Sequence, residues 1–141
     1  MGVNCTMIIY ELEIHKCVLN SKSEVTEFET LEELLGAVIN VKNITPVFVL
    51  IAVIKNGVDY GNFLFYLNDQ GRTCIIVNEH SGFTVSEKNQ VSNEPVSFIN
   101  EQNEIFTMAN KDTMTFERAL ICLNSWILTQ DHSDEFVWTE N

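Results

Sequence analysis

The chain has 141 residues, 45% of them hydrophobic, which suits one domain with a real core and excludes intrinsic disorder. Twenty Asp and Glu stand against eight Lys and Arg, a formal net charge of −12. That field repels nucleic acid and anionic membranes and draws in a basic protein, although like charge also serves plain solubility.

Residues 7–14 begin apolar and then alternate, as a strand with one solvent face does. Asn20 to Thr26 is polar and reads as a loop. Thr30 followed by Glu33 makes a capping box, and Leu31, Leu34, Leu35, Val38 and Ile39 fall on one helical stripe, so a helix is expected over 30–42. Gly36 weakens that helix unless close packing requires it. Val47 to Ile54 is apolar and rich in β-branched residues, as a central strand is. Lys55-Asn56-Gly57 then turns into a strand over 60–67, and Asn68-Asp69-Gln70-Gly71 turns into a third over 72–78, completing an antiparallel meander.

Glu79 to Asn93 is polar, with Phe83 and Val85 isolated, and reads as an exposed hairpin or loop. Two short strands follow, Val96 to Ile99 and Glu104 to Met108, with Glu101 and Glu104 at a solvated turn. A second helix is expected over 115–129, capped by Asp112, Thr113 or Thr115, with Phe116, Ala119, Leu120, Leu123, Trp126 and Ile127 as its apolar face. Phe136-Val137-Trp138 closes the chain as a strand. The fold class expected is α+β, an antiparallel sheet of five or more strands with two helices packed on it, forming a single domain over 1–141.

Signs of chemistry are sparse. Cys5, Cys17, Cys74 and Cys122 are scattered, with no Cys-x-x-Cys pair, and reduced thiols in the cytoplasm are expected. His15, His80 and His132 have no ligand-spaced companion, so neither a metal nor any other cofactor is expected. There is no phosphate-cradling Gly-rich loop and no Gly-x-Ser-x-Gly elbow. The aromatics over 60–66 lack the cationic groove of a nucleic-acid platform and are expected in the core. The start Met1-Gly2-Val3-Asn4-Cys5-Thr6 matches a myristoylation pattern, and Asn4 and Asn43 head glycosylation sequons. These patterns are short, and no membrane association is expected.

Residues 115–138, a capped amphipathic helix, the polar break Asp131-His132-Ser133-Asp134 and the closing Val137-Trp138, resemble the end of Immunity protein family 1. The order of elements in the front half, with the helix after the first strand and the Asn68–Gly71 hairpin turn, is similar to that family as well. Where the family often carries Gly-x-x-Pro, this chain has Asp131 to Asp134. These proteins are cytoplasmic antidotes of bacterial toxin systems, including contact-dependent growth inhibition. The resemblance implies toxin neutralisation by binding, no catalytic residue and no fixed contact residues. It implies structural roles for Ala119, Leu120 and Trp138.

The expected partner is a cognate toxin domain, basic and acting on nucleic acid, bound by a monomer in a one-to-one complex. From turn position and residue type, the toxin-binding residues expected are Asp59, Tyr60, Asp69, Glu79, His80, Phe83 and Glu87. A solvated loop is the competing reading of 79–93. Two other functions compete: an acidic secretion chaperone dimerising through an apolar helix, and a small enzyme using His80, Glu79 and Asp59.

Overall fold

A computed structural model describes residues 7–141; Asn4, Cys5 and the myristoylation pattern lie outside the described residues. The strands are β1 (Ile8–Lys16), β2 (Glu24–Phe28), β3 (Val47–Lys55), β4 (Val58–Leu67), β5 (Arg72–Asn78), β6 (Gly82–Glu87), β7 (Pro95–Ile99), β8 (Ile105–Ala109), β9 (Met114–Thr115) and β10 (Phe136–Glu140). The helices are α1 (Leu31–Ile39) and α2 (Phe116–Thr129). An eight-stranded sheet runs β10-β6-β5-β4-β3-β1-β2, with β9 beside β5, and β7 pairs with β8 as a separate hairpin. Every pairing is antiparallel. The α+β expectation therefore holds.

Alternation along the strands sends Val47, Val49, Ile51 and Val53 of β3, Phe63 and Phe65 of β4 and Ile75 and Val77 of β5 to one face, where all are buried in the main core. Both helices lie on that face. Leu34 and Val38 anchor α1, and Phe116, Ala119, Leu123 and Trp126 anchor α2. The opposite face is covered only in part. There the β7–β8 hairpin stacks Phe98 on Phe106, Phe106 meets Tyr66 edge-on and Tyr66 lies tilted against Phe48, with ring centroids 5.4, 5.0 and 4.9 Å apart.

Local chemistry accounts for the element boundaries. The Thr30 hydroxyl accepts from the Glu33 amide, and it also donates to the Glu33 carboxylate, closing the box side chain to side chain. Asn56 and Gly57 both have positive φ, 51° and 79°, the two-residue turn whose twist suits a hairpin. Asn68 is buried, and its Oδ1 accepts from the amides of Gln70 and Arg72. Thr115, rather than Asp112 or Thr113, caps α2 by accepting from the Arg118 amide.

Several expectations are corrected. The stretch read as a loop over 20–26 contains the start of β2, an edge strand whose polar residues need no core contact. The polar stretch 79–93 contains β6, which pairs with both β5 and β10 and buries Val85 completely. Ile39 ends the expected stripe but is 41% exposed, because the regular helix stops there and a 3-10 turn follows. Leu120 is half-buried rather than central, packing against the margin of the core. Gly36 is not a packing requirement, since a Cβ there meets nothing within 4 Å. Glu101 is not merely solvated, because its carboxylate accepts from the Tyr66 hydroxyl. Burial and that bond push the Tyr66 phenol above its ordinary pKa.

Candidate functional site

The tip of the β3–β4 hairpin is built around an irregularity. Ala52 pairs with Asn62 but Ile54 pairs with Asp59, so β4 carries an extra residue between 59 and 62. Gly61 sits in this bulge at φ 116°, and a Cβ there would lie 2.6 Å from the Asn78 carbonyl oxygen. Only glycine takes that backbone and that approach. Asp59 Oδ1 fixes the bulge by accepting from the Gly61 amide at 2.8 Å. Tyr60 is turned outward, 49% exposed, with the Lys55 ammonium 5.1 Å from its ring centroid. Lys55 also donates to Gln130 Oε1 at 3.0 Å, tying the tip to the left-handed residue that ends α2.

Beside the tip, Val58, Asp59, Tyr60, Gly61, Glu79 and His80 line an open cleft of about 320 Å³. Its floor is Glu79. One carboxylate oxygen accepts from the Trp126 indole N–H at 3.1 Å, and the other lies 2.7 Å from His132 Nε2. His132 stacks flat on Trp138, centroids 4.3 Å apart, and meets the edge of Phe83 at 4.4 Å. Trp138 in turn donates to the Ser133 carbonyl. One carboxylate thus joins the β5–β6 turn, α2 and the segment entering β10. The imidazole that pairs with Glu79 comes from 53 residues away and is not its neighbour His80. His80 is exposed at the lip of the cleft.

Of the expected site residues, Asp59, Tyr60, Glu79 and His80 converge here, and Phe83 adjoins them through His132. Asp69 and Glu87 do not. Asp69 lies beyond the far end of β4, a ten-residue strand of about 30 Å, in another cleft that also holds Lys42 and Arg72. Glu87 ends β6 and is bonded to Arg118, which also binds Glu135 and lies 4.7 Å from the Phe136 ring centroid. These bonds, to Glu135 first and then Glu87, hold the guanidinium above its ordinary pKa. His132, Trp126 and Trp138 were not singled out from sequence as residues of this site, since no spacing rule links them to Glu79.

Among the described residues no group of three or more His, Cys, Asp and Glu is placed to hold a metal ion. No helix there is long and apolar enough to cross a membrane. Cys17, Cys74 and Cys122 are free and buried. Burial raises the thiols, Cys17 and Cys74 to about 11 and Cys122 to about 12, so they are poor nucleophiles at neutral pH. No protein-family model matches the chain, and no curated protein matches it.

Proposed function

We propose that this protein is an antidote that binds and blocks a basic toxin domain, in the manner of the immunity proteins its sequence pattern resembles. The observation that carries the reading is Tyr60, a half-exposed aromatic on a hairpin tip already held in place by the Asp59–Gly61 bond, the Lys55 contact and the Glu79 junction behind it. Aromatic anchors dominate interface energetics, and a rigid anchor loses little entropy on binding. A net charge of −12 speeds encounter with a cationic partner. Both Glu79 oxygens are engaged in holding the fold, which supports a binding role for the cleft over a general-base role. A reducing cytoplasm, where such a toxin acts, suits buried free thiols.

The test is protection. The chain should rescue growth when co-expressed with the C-terminal domain of the protein encoded immediately upstream. Tyr60→Ala should lose protection while melting at an unchanged temperature. No rescue by the wild-type chain, or full rescue by the variant, would count against the proposal.

A second reading, an acidic effector chaperone, draws support from Ile121 and Leu128, which lie seven residues apart on the outer face of α2 and are 46% and 66% exposed. Such a chaperone dimerises through that face. Light scattering separates the readings: a monomer favours the antidote, a dimer the chaperone.

A further inference from the structure

Strand register places side chains in rows across the face of the sheet opposite the helices. The row His15–Phe48–Tyr66–Cys74 lies toward the β7–β8 hairpin, whose aromatics cover it. The next row reads Val25–Glu13–Leu50–Leu64–Ile76–Thr84, and the one beyond it Glu27–Glu11–Ala52–Asn62–Asn78. The hairpin's ring contact with the sheet is made by Phe106 to Tyr66, in the first row. Leu50, Leu64 and Ile76 stay half-buried, whereas the helix-side residues Phe63, Ile75 and Val77 on the same strands are fully buried.

The acidic corner of this half is energetically unfavourable in the free protein. Glu11 and Glu27 are directly opposed across β1 and β2, side chains about 5 Å apart, an arrangement that destabilises a sheet. Among the described residues Arg118 forms ion pairs with Glu87 and Glu135, and the His132 imidazole contacts Glu79, so none of these reaches Glu11, Glu13 or Glu27. Charges on β2 alone would guard an edge strand against self-pairing. Glu11 and Glu13 stand on β1, which is hydrogen-bonded on both sides and needs no such guard.

We infer that this open half-face is a docking surface for a basic protein, with apolar side chains seated over Leu50, Leu64 and Ile76 and Lys or Arg side chains among Glu11, Glu13 and Glu27. Complementary charge identifies the occupant: a second copy of this chain would bring more carboxylates to the corner. The rows end at the same edge of the sheet as the Tyr60 tip, since Ile54 pairs with Asp59 there, while Lys55 and Glu79, which flank Tyr60, bond to Gln130 and Trp126 at α2 on the other face. The inference rests on the antidote reading for its biological partner, but its test does not need the toxin.

The test is amide chemical-shift mapping of the full chain with a short alternating lysine–leucine peptide, and with the matching glutamate–leucine peptide as control. The lysine peptide should shift the amides around Glu11, Glu27, Leu50 and Leu64, and the control should shift none. Glu11→Gln combined with Glu27→Gln should weaken the lysine peptide by about tenfold. The same variant should melt about 2 °C higher, because the like-charge contact is gone. Equal shifts by both peptides, shifts confined to the tip or to the helices, or an unchanged affinity in the variant would overturn the inference. If the peptide maps to the face but the chain fails to rescue growth, the surface stands and the antidote reading falls.

Discussion

Glu79 holds together three parts of the chain: the β5–β6 turn, the Trp126 indole and His132. Glu79→Ala leaves a buried indole N–H unpaired and should cost about 1–3 kcal/mol, measured as a lower urea midpoint with an unchanged slope. Gly61→Ala forces a side chain into a left-handed bulge against the Asn78 carbonyl and should cost at least roughly 1–3 kcal/mol in the same assay. Gly36→Ala should do the reverse, stabilising by about 0.5–1 kcal/mol, because the added methyl meets nothing and the unfolded chain loses freedom. The cap at Thr30 and the turn at Asn56-Gly57 were legible in the sequence, since each is a bond or a dihedral within four residues. The partner of Glu79 was not. His80 stands next to it in the chain, but neighbouring residues at a strand end diverge, and the fold supplies His132 from another element.

Helix α2 has a legible phase because its buried residues repeat at helical spacing over fourteen residues. Leu123 is fully buried, so Leu123→Ala should cost about 2–5 kcal/mol in the urea assay. Leu120→Ala should cost clearly less, because Leu120 sits at the margin of the core. Equal costs would mean that the helix is rotated from the orientation described. The strands β2 and β6 were illegible for different reasons. In β2 only Phe28 approaches the core, so its sequence carries no buried face. In β6 a single fully buried residue, Val85, lies between Thr84 and Ser86, too short an alternation to separate from a loop. Their omission hid one edge of the sheet and the strand that joins β10 to it, and with β2 the acidic corner, which exists only through the β1–β2 register.

The whole molecule responds to alkali through its buried thiols and, at higher pH, through the Tyr66 phenol. Burial raises Cys17 and Cys74 to about 11 and Cys122 to about 12, while unfolded thiols titrate at about 8.5. The folded chain therefore keeps protons that the unfolded chain releases. This contribution to stability is complete below about pH 8.5 and is lost as pH rises through 11 and 12, so the urea midpoint should fall steadily above pH 9. Replacing Cys122 by Ala should flatten that fall; an unchanged alkaline slope would assign it to other groups. At this scale acidity and α+β architecture were legible from composition and pattern, and the grouping of the turn residues in space was not. Carboxylates read from turns scattered to three places, because Asp69 and Glu87 are carried to other parts of the sheet. The measurement closest to the central claim is stopped-flow association of the purified chain with the C-terminal domain of the upstream-encoded protein at low and high salt. A one-to-one complex is expected, with association slowing as salt rises and dissociation faster in Tyr60→Ala. Absence of a complex, or rates indifferent to both salt and Tyr60→Ala, would contradict the account.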